Sequence, residues 1–231
     1  MSQEVHEEEN SKVEKPSLLG MITDPGTHLE RIRQNPKILV AFIIVTLLTV
    51  VGMVLLMFQT DFIGDDPLLN DMGEEELMFV TIVSQVVFVV VGLFTPAVAI
   101  LINAVVYFIV AKIVNATVTF KQLFSMTLYI YIISVLGLIV NGLAFFLTGN
   151  ADPDLLLTSL NSIVGAEGIV GAVLSSIEVF AIWGYIVTAL GLQIVARFSK
   201  GLSWGIVIGI FIVMVFINVG SQVVTGMTGA L

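Results

Sequence analysis

The chain has 231 residues, of which 57% are hydrophobic and 12% are charged, and its formal net charge is −9. Soluble domains have about 45–50% apolar and about 25% charged residues, so this composition indicates a membrane protein. The excess of acids excludes the basic surface that nucleic-acid binding requires, and the absence of cysteine excludes disulfides and thiolate metal sites.

Changes in composition divide the chain into four parts. The first is too polar to bury a core, and the third contains the long apolar runs. The predicted parts are a disordered cytoplasmic tail (1–16), an amphipathic cytoplasmic helix (17–36), a five-span helical membrane domain (37–222) and a frayed external tail (223–231).

The amphipathic helix has clear start signals. Asp24 is predicted to be its N-cap and Pro25 its first helical residue, because Asp accepts from a free backbone N–H and proline lacks one. Leu29 and Ile32 lie on one face of the helix. That face can lie on the cytoplasmic membrane surface or pack on the helix bundle, and the sequence leaves both alternatives open.

Five apolar runs follow, and a membrane-spanning helix needs about 20 apolar residues. The fold class is therefore predicted to be all-α and polytopic, with five transmembrane helices. The spans are Ile38–Phe58, Phe79–Ala111, Leu123–Leu147, Ala172–Ala196 and Leu202–Val219. The second run is over-long and contains Pro96, whose missing N–H predicts a helix kink near Phe94.

The charges predict how these spans are oriented. All nine Lys and Arg residues lie before the first span or in the loops after the second and fourth spans. The other two loops between spans contain acids and no basic residue. By the positive-inside rule the N-terminus is cytoplasmic and the C-terminus is extracellular, as an odd number of spans requires.

The loop before the fourth span is predicted to contain a short amphipathic helix. Asp152 and Pro153 again have the pattern of an N-cap and a first helical residue. Apolar residues follow at helical spacing, namely Leu156, Leu160, Ile163 and Val164. We expect this helix to lie on the outer surface or to fold back over the mouth of the bundle.

Four polar residues fall at a similar depth within the last four spans: Gln85, Asn141, Glu178 and Asn218. Glu178 is about seven residues from the outer end of its predicted helix, or roughly 10 Å at 1.5 Å per residue. Such a layer can form a polar pocket or a protonation site, or it can hold the helices in register through hydrogen bonds. We favour the second interpretation, because polar residues inside membranes often serve packing.

The last span begins with a ladder of small residues, Gly201, Gly205 and Gly209. Glycines at this spacing let another helix approach closely. The partner can be the fourth span, through Gly184 and Gly191, or a second subunit. We expect packing inside the bundle, and a homo-oligomer is the alternative.

The sequence offers no catalytic constellation, cofactor motif or metal-ligand set. Both histidines, His6 and His28, precede the first span, and no nucleophile elbow, phosphate loop or zinc-protease motif is present. We therefore expect no enzymatic activity and no cofactor. The acidic loops can hold cations or a cationic peptide, or they can be solvated surface that helps to set topology, and we favour the second interpretation.

Three stretches resemble the Yip1-domain membrane proteins. They are LLGMITDPGTHLERIRQNPKILVAF around the amphipathic helix, TFKQLFS from Thr119 running into the third span, and the region from Trp183 to the turn at Lys200. The resemblance extends over about residues 17 to 222, and the five-span order agrees with the family. The chain lacks the long cytosolic region and the Asp-Leu-Tyr-Gly-Pro motif of eukaryotic members, so it is most similar to the short bacterial branch.

This resemblance implies a location in the bacterial cell membrane and a role as an accessory of an ABC-type exporter that protects against a secreted toxic peptide. The expected partners are the lipid bilayer and other integral membrane proteins, with exporter subunits among them. The first hypothesis is therefore a non-enzymatic scaffold. The alternative is a small transporter or channel that uses the polar layer around Glu178, and a membrane enzyme is the third and weakest hypothesis.

Overall fold

A computed structural model describes residues 14–58, 60, 69, 72–148 and 156–228. The described residues are helical with short connections and contain no strand. The helices are α1 (Leu18–Thr23), α2 (Pro25–Gln34), α3 (Leu39–Met57), α4 (Glu74–Ile113), α5 (Phe120–Thr148), α6 (Asn161–Val164), α7 (Gly168–Ser175), α8 (Val179–Ile194) and α9 (Lys200–Thr228).

Among the described residues, four helices are long and apolar enough to cross a membrane: α3, α4, α5 and α9. They correspond to the first, second, third and fifth predicted spans. The prediction of one continuous helix from Ala172 to Ala196 is wrong, because the chain leaves the helix between Ser175 and Val179. The resulting pieces, α7 with 8 residues and α8 with 16 residues, are each shorter than a usual span.

Helix α5 is the centre of the bundle. Of its most apolar stretch 44% is buried, against 22% in α3, 11% in α9 and 6% in α4. It contacts α1, α2, α3, α4 and α8, whereas α9 packs on α7 and α8. The central helix therefore holds the core together, and α4 and α9 are left with large outward-facing apolar surfaces.

Contacts between helix ends show that the basic residues gather at one end of the bundle. The Ser125 hydroxyl near the start of α5 donates to the Lys37 carbonyl just before α3, with 2.8 Å between the oxygens. Phe108 near the end of α4 packs edge-on against Phe120. Gly191 near the end of α8 lies against Met126. We call this the basic end, because the described Lys and Arg residues lie just before α1, in α2, close to the ends of α4 and α8, or close to the starts of α3, α5 and α9.

The amphipathic segment 17–36 consists of two helices, where one was predicted. The start signals are confirmed: the Asp24 carboxylate accepts from the Thr27 N–H, with an O···N distance of 3.3 Å, and Pro25 is the first residue of α2. The preceding turn is a separate helix, α1, because the Ser17 hydroxyl caps it by accepting from the Gly20 N–H.

The apolar face of this segment packs on the bundle, so the second of the two alternatives is the observed one. Met21, Leu29 and Ile32 are each 0% exposed. The Gln122 amide donates to the Arg33 carbonyl at 2.6 Å, which ties the end of α2 to the start of α5. Helices α1 and α2 therefore form a cap that packs on the basic end through its apolar face.

Several predictions in the connecting segments are corrected or lie outside the described residues. Asp152 and Pro153 lie outside them, as do residues 1–13 of the predicted tail. The predicted outer-loop helix is wrong over Leu156–Leu160, which form a turn and a bridge, and only the single turn of α6 follows. Helix α9 continues to Thr228, into the segment predicted to be frayed.

Helix α4 runs unbroken through Pro96, which is buried. Proline has no backbone N–H, so the carbonyl four residues earlier, that of Gly92, receives no helical hydrogen bond from it. The kink near Phe94 stays a prediction.

Candidate functional site

The sequence predicts that Glu178 lies inside a helix. In the structure it is instead the N-cap residue of α8. Its backbone is extended (φ −116°, ψ 139°), and its side chain accepts from the Ala181 N–H at 2.6 Å. The backbone of Glu178 also pairs with that of Ser159 in an isolated antiparallel bridge. Glu178 as a whole is 8% exposed. The break in the predicted fourth span is therefore stabilised by the acid that made this span unusual, because a carboxylate can satisfy the free N–H groups at the start of a helix.

Thr158 connects Glu178 to Asn141 on α5. The Asn141 Nδ2 donates to the Thr158 hydroxyl at 2.8 Å, and the Thr158 hydroxyl donates to the second carboxylate oxygen of Glu178. The Thr158 backbone N–H donates in turn to the Asn141 Oδ1 at 3.2 Å. Three segments that are distant in sequence are thereby joined through one hydroxyl.

This network leaves little hydrogen-bonding capacity unused. A hydroxyl has one proton to donate, and Thr158 uses it on the carboxylate while accepting from the amide. Asn141 is 3% exposed, and its Nδ2 also donates to the Gly137 carbonyl oxygen at 2.9 Å. Buried polar groups with this degree of satisfaction rigidify a structure rather than present a reactive group.

The other two predicted members of the polar layer lie apart from this network. Asn218 is exposed on α9 and donates to the Ser176 hydroxyl at 2.9 Å, which links α9 to the same break. Gln85 lies on α4, and within the described part of the chain no hydrogen bond joins it to the other three. The structure thus brings Glu178 and Asn141 together, places Asn218 nearby, and leaves Gln85 on another flank of the bundle.

Sequence reasoning missed Thr158 and Ser176, which make the connections. Thr158 is 17 residues from Asn141 and 20 residues from Glu178 in sequence. It lies in a segment that the apolar spacing assigned to a helix. No local pattern marks such a residue, because the contact arises only when the segment between α5 and α6 folds onto the bundle.

The glycine ladder of α9 faces away from the bundle. A Cβ placed on Gly201, Gly205 or Gly209 would meet no atom within 4 Å, and all three residues are exposed. The opposite face of α9 packs inward through Ser203, which is 0% exposed, and Val207, which is 3% exposed. The expectation that the ladder packs inside the bundle is wrong, because the face of α9 that packs on α7 and α8 is the one that carries Ser203 and Val207.

The described helices, with four long apolar members around a buried central one, define an all-helical membrane protein. Residues 19–221 match the Yip1 domain, and the chain belongs to the Yip1-domain family. It is similar to the membrane protein YknW of Bacillus subtilis (strain 168), with 30% identity over 235 residues that cover 100% of both chains. No solved structure matches the chain.

Proposed function

We propose that this protein is a non-enzymatic membrane accessory that binds another integral membrane protein through the glycine face of α9, meaning Gly201, Gly205 and Gly209. The observation that carries the proposal is the open space over all three glycines. Helices in a bilayer associate by close packing, and small residues permit the closest approach. The absence of catalytic motifs in the sequence supports a binding role over an enzymatic one.

The partner we propose is an ABC-type exporter of the bacterial cell membrane, in a system that protects against a toxic peptide. This finer assignment is supported by the resemblance to short bacterial Yip1-domain proteins. A second copy of this chain is the competing partner for the same face.

The test is co-purification of the tagged full-length protein from its native membrane in a mild detergent. Gly205→Leu places a branched side chain on the open face, and we expect at least a tenfold loss of the co-purified partner with normal yield of the variant itself. Gly184→Leu is the matched control, because Gly184 is a glycine on α8 that also has no atom within 4 Å of an added Cβ. Normal recovery of the partner with Gly205→Leu would rule out this face as the contact.

We propose that α7 and α8 together make a fifth crossing. Stacked end to end, 8 and 16 helical residues reach about 36 Å, which exceeds the roughly 30 Å hydrocarbon core. Both helices pack along α9, which supports their arrangement in succession beside it. With the basic end in the cytoplasm, the N-terminus is then cytoplasmic and the C-terminus external.

Labelling of introduced cysteines can test this topology, because the chain has no cysteine of its own that would react. In intact cells, an impermeant thiol reagent should label Glu167→Cys and a cysteine appended after Leu231, and should not label Gln34→Cys. Protection of the appended cysteine, with labelling of all three in opened cells, would indicate an even number of crossings.

For Glu178 we propose a structural role, in preference to the transport role of the alternative hypothesis. Its two carboxylate oxygens accept from Thr158 and Ala181, so both serve the helix break. If the alternative were correct, Glu178→Gln would abolish flux or change its pH dependence in liposomes. We expect equal flux in liposomes that contain the wild-type protein, in liposomes that contain Glu178→Gln, and in liposomes without protein.

A further inference from the structure

Two grooves meet at the basic end beside α3 and α5. The first, which we call the basic groove, has a volume of about 570 Å³ and is lined by Lys15, Lys37 and Lys121. The second, the apolar groove, has a volume of about 610 Å³ and lies between α1, α3 and α5. Pro16, Val40 and Tyr129 line both grooves, so the two are continuous.

The three lysines of the basic groove have no acidic partner in the described part of the chain. The ion pairs found there involve the two arginines of α2 and join Arg31 to Glu14 and Arg33 to Glu30. The lysines come from three different segments, one before α1, one before α3 and one at the start of α5. Their positive charges therefore converge on one groove without internal compensation, which favours an anionic occupant.

The apolar groove has the form required by a hydrocarbon chain. Along α3 it extends from Val40 to Leu48, or about 12 Å at 1.5 Å per residue. Its walls are open to the surroundings, since Val40 is 67% exposed and Leu19 is 75% exposed. An apolar channel that opens on a lipid-facing surface and ends at a cluster of lysines matches a molecule with one anionic end and a long apolar chain.

We propose that these grooves bind one anionic phospholipid, with its phosphate among Lys15, Lys37 and Lys121 and an acyl chain along α1, α3 and α5. The lysines lie at the basic end, where the headgroups of the adjacent leaflet are found if that end lies at the membrane surface. The lipid fills a cleft between the cap formed by α1 and α2 and the bundle. The bound lipid thereby joins the cap formed by α1 and α2 to an anionic membrane surface. This contact does not involve any partner on α9.

The test is native mass spectrometry of the delipidated full-length protein, titrated with phosphatidylglycerol or with phosphatidylcholine of the same acyl chains. We expect phosphatidylglycerol to bind at least tenfold more tightly. A lysine near a membrane surface contributes about a fivefold change in binding affinity. Lys37→Gln and Lys121→Gln should therefore each weaken the binding of phosphatidylglycerol by about that factor. Lys200→Gln is the control, because Lys200 lies at the same end on α9 and does not line the groove.

The apolar part of the site has its own pair of variants. Ile44 lines the apolar groove, and Ile44→Trp should weaken both lipids because the indole occupies the space of the acyl chain. The neighbouring Ile43 is 49% exposed and does not line the groove, so Ile43→Trp should leave both affinities unchanged.

Three results would overturn the proposal. Equal affinity for the two lipids, unaffected by the lysine variants, would remove the headgroup site. An equal effect of Lys200→Gln would mean general attraction to the basic end. Displacement of the lipid by soluble glycerol phosphate at a similar concentration would indicate an anion site without an acyl-chain groove. An unchanged thermal unfolding midpoint of each variant shows that the fold is retained.

Discussion

The glycines of α5 and those of α9 have opposite surroundings in one bundle. A Cβ added at Gly137 on α5 would lie 2.8 Å from the Phe180 Cβ on α8, closer than two such atoms can pack. On α9, the same addition at Gly205 would meet nothing within 4 Å. The residue type alone therefore does not indicate an interface. Gly137 marks a contact that is already made, and Gly205 marks a surface that is still available for one.

The same contrast holds for two acids at helix starts. Glu178 and Glu167 are the N-cap residues of α8 and α7, respectively. Glu178 is buried and its side chain caps the helix, whereas Glu167 is exposed and makes no capping hydrogen bond. Position within the packed region decides whether such a residue stabilises the fold.

The largest effect should come from enlarging the packed glycine. Gly137→Leu would force α5 and α8 apart, and extra groups in a packed core cost about 1–3 kcal/mol or more. We expect a clear fall in the thermal unfolding midpoint, measured by circular dichroism in detergent. Gly209→Leu makes the same change on the open face and should leave the midpoint nearly unchanged. Similar losses from both would contradict the division into packed and open glycines.

Removing the buried cap should have the next largest effect. Glu178→Ala deletes the acceptor for the Ala181 N–H and for the Thr158 hydroxyl. Loss of a helix cap costs about 0.5–2 kcal/mol, and the unpaired hydroxyl adds to this. The free energy of unfolding, measured by denaturant titration in detergent, should fall accordingly, whereas Glu167→Ala should change it by less than about 0.5 kcal/mol. If the two variants were equally stable, the network at the break would not contribute to the fold.

A smaller effect is expected from the pH dependence of the cap formed by α1 and α2. Burial, with a further contribution from the Arg31 charge, holds the pKa of the His28 imidazole below its ordinary value of 6.5. Its Nδ1 accepts from the Ser17 N–H at 3.0 Å, which requires the neutral ring. The unfolded chain then binds a proton more readily than the folded one. Stability from this group is complete above pH 6.5 and falls as the pH drops below it.

The measurement for this prediction is the unfolding midpoint between pH 5 and pH 8 in detergent. His28→Gln should remove part of the decrease in the unfolding midpoint toward low pH. His6→Gln changes the other histidine and is the control, because it should leave that decrease unchanged. An identical pH profile in wild type and His28→Gln would contradict the role of this histidine.

The smallest effect should come from alanine on the open face. Gly205→Ala adds a methyl group that meets no neighbour, and alanine is favoured over glycine in a helix by about 0.5–1 kcal/mol. The isolated protein should therefore become slightly more stable to denaturant. A loss of stability would show that the face is closer to another helix than the open space indicates.

Sequence alone predicted the features that depend on neighbouring residues. The apolar runs of α3, α4, α5 and α9 are visible because each is long enough for a bilayer core. The cap at Asp24 and Pro25 is visible because its hydrogen bond reaches only three residues along the chain. Family membership was likewise accessible, from stretches around the amphipathic segment and two turns.

Only the tertiary structure decided which surfaces are used. Spans that are apolar nearly all round carry no stripe that marks their buried face, so the outward orientation of Gly201, Gly205 and Gly209 could not be predicted. The break before α8 includes a hydrogen bond from Thr158, which lies in the segment between α5 and α6 and meets Glu178 only in the folded bundle. Apolar length and capping are local properties of the chain. The direction in which each helix face points and the pairing of polar side chains arise only when distant segments pack. These two properties determine what this membrane protein can bind.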